Sequence, residues 1–252
     1  METTGNIMRK YRMGVVIATY DNACTIIDVV RRVEAITRDI IVVDDGCNDN
    51  TLALLQQLAQ PPHIVTYKPN RGKGHALVQG FKQAMQLGWD YAITLDSDGQ
   101  HYPEDLPLLV DAWTRHKGAL IVGERGTEHR NMPRGNTFAN KFSNFWFTLQ
   151  TGIKLNDTQT GFRLYPLKRL RWLGITTSRY EAELEMLVFA AWHGIEIVPV
   201  QVRVYYPPQG ERVTHFRPYA DFGRISLLNV ALCFGAVVYG WPMRLYRKIK
   251  KR

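Results

Sequence analysis

The chain has 252 residues, 45% hydrophobic and 22% charged, proportions that exclude a disordered polymer and allow one substantial core or two small ones. Its net charge of +9 is local: residues 244–252, RLYRKIKKR, carry six cations and no acid, and removing those six leaves +3. A basic tail of this kind argues against a nucleic-acid partner, which would need a basic face spread over the domain, and favours a local anionic partner such as a membrane surface. Cys24, Cys47 and Cys233 are odd in number and lack metal-ligand spacing, so neither a disulfide framework nor a zinc site is expected and a reducing compartment is the simplest setting.

The N-terminal METTGNIMRKYRMGVVIATY places charges before a short apolar run with no small-residue cleavage site, and reads as a first strand and not an export signal. From Gly14 to Gly123 apolar runs (GVVIA, DIIVVDD, HIVTY, YAITLD, ALIVG) alternate with segments of helical periodicity such as TLALLQQLA and GHALVQGFKQAMQLG. Continuous Val/Ile-rich runs suit strands covered on both faces, which predicts a parallel, doubly wound α/β sheet. Ligands of such sheets bind beyond the carboxyl ends of the strands. There the sequence places Asp21 after the first strand, Asp44 and Asp45 after the second, and Asp96 and Asp98 after the fourth.

After Gly123 the alternation stops. ERGTEHRNMPRG is expected to be a loop, NTFANKFSNFWFTLQTG a helix and KLNDTQTGFRLYP an irregular polar stretch. SRYEAELEMLVFAAWHG reads as a helix, IEIVPVQVRVYY as a late strand, and Pro207, Pro208 and Gly210 open another loop. The economical partition is a catalytic domain over residues 1–222 and an apolar helix with a basic tail over 223–252. RISLLNVALCFGAVVYGWPM supplies roughly 18 largely apolar residues, the lower edge of what spans a bilayer. A buried core helix is the alternative, against which stand Tyr239, Trp241 and the abrupt run of cations, an arrangement resembling a membrane interface. If the tail and the domain both stay on the cytoplasmic side, a single span is excluded. An in-plane or re-entrant helix, or a hairpin completed by a membrane partner protein or a second copy, then remains.

LDSDGQH carries the chemistry. One carboxylate of a D-x-D pair at a strand end can face a sugar hydroxyl while the other meets a hard divalent cation, and Gln100 offers a neutral oxygen nearby. A solvated turn explains an isolated pair equally well. Acids at three strand ends, with no comparable pair at the opposite ends, favour the functional reading.

Taken in order, VVIATYDNACTI, IIVVDDGCNDNT, NRGKGHALVQGF, LDSDGQH and DTQTGFRLYP resemble the family 2 glycosyltransferases of GT-A fold, in the branch of dolichyl-phosphate mannose synthase and other polyprenyl-phosphate glycosyltransferases. The resemblance implies a Rossmann-like, mostly parallel sheet flanked by helices with a membrane-associated helix at the C-terminus. It places Thr19, Tyr20 and Asp21 at the nucleotide base, although Ala18 stands where the family usually has proline and Asn22 where an acid is common. Asp44 and Asp45 match acids that contact base and ribose, and Lys73 matches a lysine near the nucleotide unless it is a solvated loop lysine. Asp96 fits the ribose-side acid, and Asp98 with Gln100 the ligands of Mg²⁺ or Mn²⁺; His101 supports the site from behind or lies on the surface.

Arg125 is placed to meet diphosphate oxygens or the transferred sugar. Asp157 and Arg163 resemble the acceptor-side signature, and Glu183 or Glu181 either serves catalysis or simply suits a helix N-terminus. In GERVTHFRPYADFGR, where the family usually has a basic, serine-containing loop, His215, Arg217 and Arg224 either close over phosphates or are interfacial cations. The implied reaction is inverting, metal-dependent transfer of a sugar from a nucleotide sugar to a lipid-linked, polyprenyl-phosphate acceptor at the cytoplasmic membrane face. A hydroxyl acceptor would instead need Asp157 or Glu183 as base. An aspartyl phosphohydrolase, suggested by D-x-D-G, and a non-catalytic membrane-bound module are the readings from other classes.

Overall fold

The computed structural model describes residues 2–126, 134–170, 174–206 and 218–250. A short helix, α1 (Thr4–Lys10), precedes β1 (Met13–Thr19). Only the strand was legible, because α1 buries a single side chain, Met8, and so carries almost no hydrophobic period. The alternation then runs through α2 (Ile26–Glu34), β2 (Ile40–Asp44), α3 (Thr51–Gln56), β3 (His63–Thr66), α4 (Lys73–Gln86) and β4 (Tyr91–Asp96). β1 pairs in parallel with β2 and β4, and β2 with β3. Val15 and Ile17 face α2 and its Val29, Val30 and Val33, while Val16 faces Ala76 and Leu77 of α4. Both faces are covered, which is why these strands are apolar throughout instead of alternating.

The chain continues through α5 (Leu106–Arg115), β5 (Leu120–Arg125), α6 (Arg134–Thr151), β6 (Arg163–Pro166), α7 (Leu167–Leu170), α8 (Glu181–Trp192) and β7 (Ile197–Val202). The sheet order is β3-β2-β1-β4-β6-β5-β7. β6 is antiparallel to both β4 and β5 and separates them. This corrects the irregular stretch expected over KLNDTQTGFRLYP, whose last four residues are a fully buried strand. Arg-Leu-Tyr-Pro is too short for a period and is flanked by polar residues, so only its two neighbours make it a strand. The register sets Arg163 opposite Thr94 and Val122, which brings the loop before β6 against the carboxyl ends of β4 and β5.

At the C-terminus α9 (Pro218–Gly235), a π turn (Ala236–Gly240) and α10 (Trp241–Lys250) follow without a break. Asp221–Lys250 is long and apolar enough to cross a membrane, with 28% of its most apolar window buried. Ile225, Leu228, Leu232 and Ala236 join the core built by α6 and α8, and the division expected after residue 222 falls inside α9. Trp192 of α8 wedges under the π turn: a Cβ on Gly235 or Gly240 would meet its ring at 2.7 or 2.4 Å. Arg244 donates to the Thr151 carbonyl at 2.9 Å and Arg247 to the Trp192 carbonyl, so two tail cations cap the C-termini of α6 and α8. The tail is therefore not wholly turned toward an outside partner.

Candidate active site

α4, β4 and α8 each contribute one charged group to a buried knot. Lys73, the first residue of α4, places Nζ 2.7 Å from Asp96 Oδ1 and 2.9 Å from Glu183 Oε2. It is no solvated loop lysine: its side chain is 18% exposed. Burial alone would lower its pKa, but Asp96 and Glu183 hold the ammonium well above the ordinary lysine range. Burial likewise opposes ionisation of Asp96, and Lys73 reverses this to hold its carboxyl below the usual range. Asp96 reaches this position because Gly161 has no side chain; a Cβ there would lie 2.4 Å from its carboxylate.

Asp98 follows in a turn completed by Gly99 at φ +71°. Its Oδ1 accepts the Gln100 backbone N–H at 3.0 Å, and among the described residues no cation is paired with it. Burial, then the neighbouring Asp96 charge, pushes its carboxyl up to about 6. His101 forms an antiparallel bridge with Val204, packs its ring 5.4 Å from that of Phe162 and is 5% exposed. Burial lowers its pKa to about 4, so it is a buried neutral ring and not a surface histidine.

The loops after β1 and β2 are held by their own acids. Asp44 Oδ1 accepts from the Cys47 N–H at 2.7 Å and Oδ2 from the Thr66 hydroxyl at 2.9 Å. Asp45 accepts from the Arg71 and Gly72 N–H groups, each at 2.8 Å, and from Asn70 Nδ2 at 2.9 Å. Both, expected to contact base and ribose, are at most 2% exposed with both oxygens engaged by the loops they shape. Asp21, in left-handed backbone at φ +45°, accepts from Asn48 and Asp49 N–H at 2.6 and 3.3 Å. Thr19 is buried, and its carbonyl accepts the Asp45 N–H at 2.9 Å.

These loops frame a cleft of about 610 Å³ lined by Tyr20, Gly46, Asn48, Lys68, Asn70 and Arg179. Of the residues expected at the nucleotide base, Tyr20 lines it. Asp21, Cys47 and Asp49 also approach one another closely enough to hold a metal ion. Their chemistry argues otherwise: Asp49 accepts from Ala23 and Thr51 N–H, and burial, then a bond to Asp44, pushes the Cys47 thiol up to about 12.

On the far side of β4, Arg125 and Asp157 form a two-pronged pair, Nε to Oδ2 at 2.5 Å and Nη2 to Oδ1 at 2.8 Å. Asp157 also accepts the Gln159 N–H at 3.1 Å and is 0% exposed. Burial opposes its ionisation, but Arg125 holds its carboxyl below the usual range. Arg163, which the resemblance sets in the acceptor-side signature, is fully buried in β6. It donates to the Glu183 and Thr158 carbonyls at 2.8 and 2.9 Å and to the Tyr165 hydroxyl at 3.1 Å, so it braces the site from behind. Glu181 is buried at the start of α8, and Arg224 pairs with Asp221 at 3.5 Å. His215 and Arg217 lie outside the described residues.

Residues 14–168 match the model of Glycosyl transferase family 2. The chain belongs to that family. This family 2 chain is 29% identical over 212 residues to UDP-N-acetylglucosamine–dolichyl-phosphate N-acetylglucosaminyltransferase of Methanococcus voltae, covering 76% of this chain and 84% of the relative. It is 28% identical over 182 residues to undecaprenyl-phosphate mannosyltransferase of Micrococcus luteus, covering 69% and 74%. Among solved structures, glucosyl-3-phosphoglycerate synthase of Mycobacterium tuberculosis with Mn²⁺, UDP and phosphoglyceric acid superposes with a TM-score of 0.67 at 18% identity, covering 93% of this chain and 82% of that one; this likeness concerns the fold.

The protein is thus a glycosyltransferase, and the phosphohydrolase and silent-module readings fall away. Asn48, Lys68, Asn70 and Arg179 also line the glycosyltransferase's cleft and are not among the residues expected there. Asn48 and Asn70 follow strand ends in turn-forming company, a signal that was present; Arg179 comes from the segment before α8, and nothing local marks it.

Proposed function

We propose that the protein transfers a sugar, with inversion, from a nucleoside-diphosphate sugar to a polyprenyl phosphate at a membrane surface. The observation that carries this reading is Asp98, an ionisable oxygen donor left without a cation beside an Asp96 already neutralised by Lys73. That donor set fits Mg²⁺ or Mn²⁺, with Asp98 and the Gln100 side chain as the protein's contribution, because such ions take few protein carboxylates and complete their shell with phosphates and water. A bound cation would offset charge developing on the departing diphosphate. The relatives named for dolichyl and undecaprenyl phosphates support the acceptor class, and the manganese and UDP of the superposed synthase support the donor class.

The chain's own groups divide the remaining work. The cleft at Tyr20 and Asn48 holds the base, with Lys68 and Arg179 supplying positive potential toward the phosphates. Lys73 keeps Asp96 ionised and fixed, able to accept a hydrogen bond from a donor hydroxyl. Arg125, oriented by Asp157, presents its guanidinium edge to the transferred group. With Asp157 engaged by Arg125 and Glu183 by Lys73, neither is well placed as a base. This favours an acceptor that is already anionic, as a phosphate monoester with a second pKa of about 6 is at neutral pH.

The test is incubation of purified protein with UDP- and GDP-sugars, Mn²⁺ and undecaprenyl phosphate, followed by extraction of labelled lipid. Metal-dependent labelling is expected, and Asp98→Asn should lower it roughly 10²- to 10³-fold, in the range of losing one preorganised charge-stabilising group. Undiminished transfer by Asp98→Asn would remove that residue from the metal site, and transfer to sugar hydroxyls without lipid would refute the acceptor class.

A further inference from the structure

We infer that this protein docks on anionic bilayers through one continuous face made by α6, α9 and α10, with the C-terminal helix lying in the membrane plane and not across it. The inner side of that helix is committed to the protein along its length: Ile225, Leu228, Leu232 and Ala236 are in the core, Gly240 packs on Trp192, and Arg244 and Arg247 cap α6 and α8. A helix fastened at so many points cannot surround itself with lipid without dragging the catalytic domain into the hydrocarbon.

The outer side is different. Leu227, Val230, Phe234 and Val238 recur at spacings of three and four, with Phe234 73% and Val238 79% exposed, and Trp241, Leu245 and Ile249 continue the stripe past the π turn. Phe145 and Leu149 of α6 are likewise exposed, at 61% and 45%, although α6 belongs to the folded domain. The two surfaces join. The Trp241 indole donates to the Leu149 carbonyl at 3.3 Å, and the rings of Phe142 and Phe222 lie 5.3 Å apart.

Charge selects the occupant. Neither α6 nor α10 contains an acid, and Asp221 of α9 is buried beside Arg224, whereas Lys141 of α6, Lys154 just beyond it and Lys248 and Lys250 of α10 are exposed. A second copy presenting the same cationic rim would be repelled, and an anionic lipid surface would be attracted. The arrangement matches an interfacial helix, with an apolar face in the headgroup boundary and cations at its margin. α9 packs on α8, the helix whose first turn brings Glu183 to Lys73; docking this way would hold the active site close to the lipid, as the proposed acceptor requires.

Flotation of the full chain with vesicles tests the inference without donor or acceptor, so its outcome is separate from that of the transfer assay. Binding to vesicles of equal parts phosphatidylcholine and phosphatidylglycerol is expected, about tenfold or more stronger than to phosphatidylcholine alone. Phe145→Ser with Leu149→Ser, and separately Leu227→Ser with Phe234→Ser, should abolish most binding with thermal unfolding unchanged, while Lys248→Gln with Lys250→Gln should only weaken the preference for anionic lipid. In the unaltered protein, the fluorescence lost in Trp241→Phe should be quenched by shallow-brominated and not by deep-brominated lipid. Binding indifferent to the α6 pair, deep quenching, or retention after alkaline carbonate would overturn in-plane docking. A lipid-free dimer dissolved by the same substitutions would assign the face to a second copy instead.

Discussion

Lys73 folds back from the start of α4 between Asp96 and Glu183, the first partner 26% and the second 5% exposed. Lys73→Met therefore leaves two acids without their cation, a change expected to cost about 3–5 kcal/mol; urea unfolding of the variant against the native chain measures it. His101 and Asp98 make a second prediction, with opposite signs. His101 has a folded pKa of about 4, below the ordinary 6.5, so on acidification the unfolded chain takes the proton first and stability falls from pH 6.5 to 4. Asp98, raised from 3.8 to about 6, is protonated first in the folded chain, and its contribution rises as pH falls from 6 to 3.8. His101→Asn should become more stable between pH 6 and 4 and Asp98→Asn less stable, each by roughly 2–3 kcal/mol. Parallel pH profiles of denaturant midpoints for the three proteins would contradict these assignments.

At the scale of elements, β6 decides the site. An antiparallel strand between β4 and β5 delivers Gly161 beneath Asp96, Arg163 behind Glu183 and Asp157 beside Arg125 in one short passage of chain. Close approach at Gly161 is the critical clearance. Gly161→Ala would press a methyl group to 2.4 Å of the Asp96 carboxylate, so Asp96 must move. The expected result is a donor affinity weakened about tenfold or more, with the fold retained, read by isothermal titration with nucleoside diphosphate sugar. α8 is held from its other side by Glu185, which accepts from the backbone and hydroxyl of both Thr176 and Thr177. This fixes the segment that carries Arg179 to the cleft.

For the whole molecule, the C-terminal helix is both surface and core. Removing residues 225–252 would uncover the apolar sides of α6 and α8 that Ile225, Leu228 and Leu232 close, so such a truncation is expected to aggregate or to unfold several degrees earlier, measured by light scattering during a thermal melt. A truncated chain that stays monomeric with an unchanged melting temperature would show the helix to be a detachable appendage. Loss of membrane binding on truncation would consequently say little about docking, and surface substitutions on the outer stripe are the cleaner probe.

The sequence by itself determined the parallel half of the sheet, because strands covered on both faces must be apolar throughout and the helices between them must carry a period of 3.6. It also determined which strand ends bear acids, and the ordered motifs were enough to reveal the family. Tertiary structure alone decided what those acids, and the cations near them, touch. Asp44 and Asp45 became loop anchors, Lys73 became a countercharge and Arg163 a brace, since each role depends on a partner 20 or more residues away in the chain. The C-terminal helix divides the same way. Its apolar length was written locally, but which side meets protein and which is left for lipid was fixed only when Trp192, Thr151 and the core of α6 and α8 gave it something to pack against.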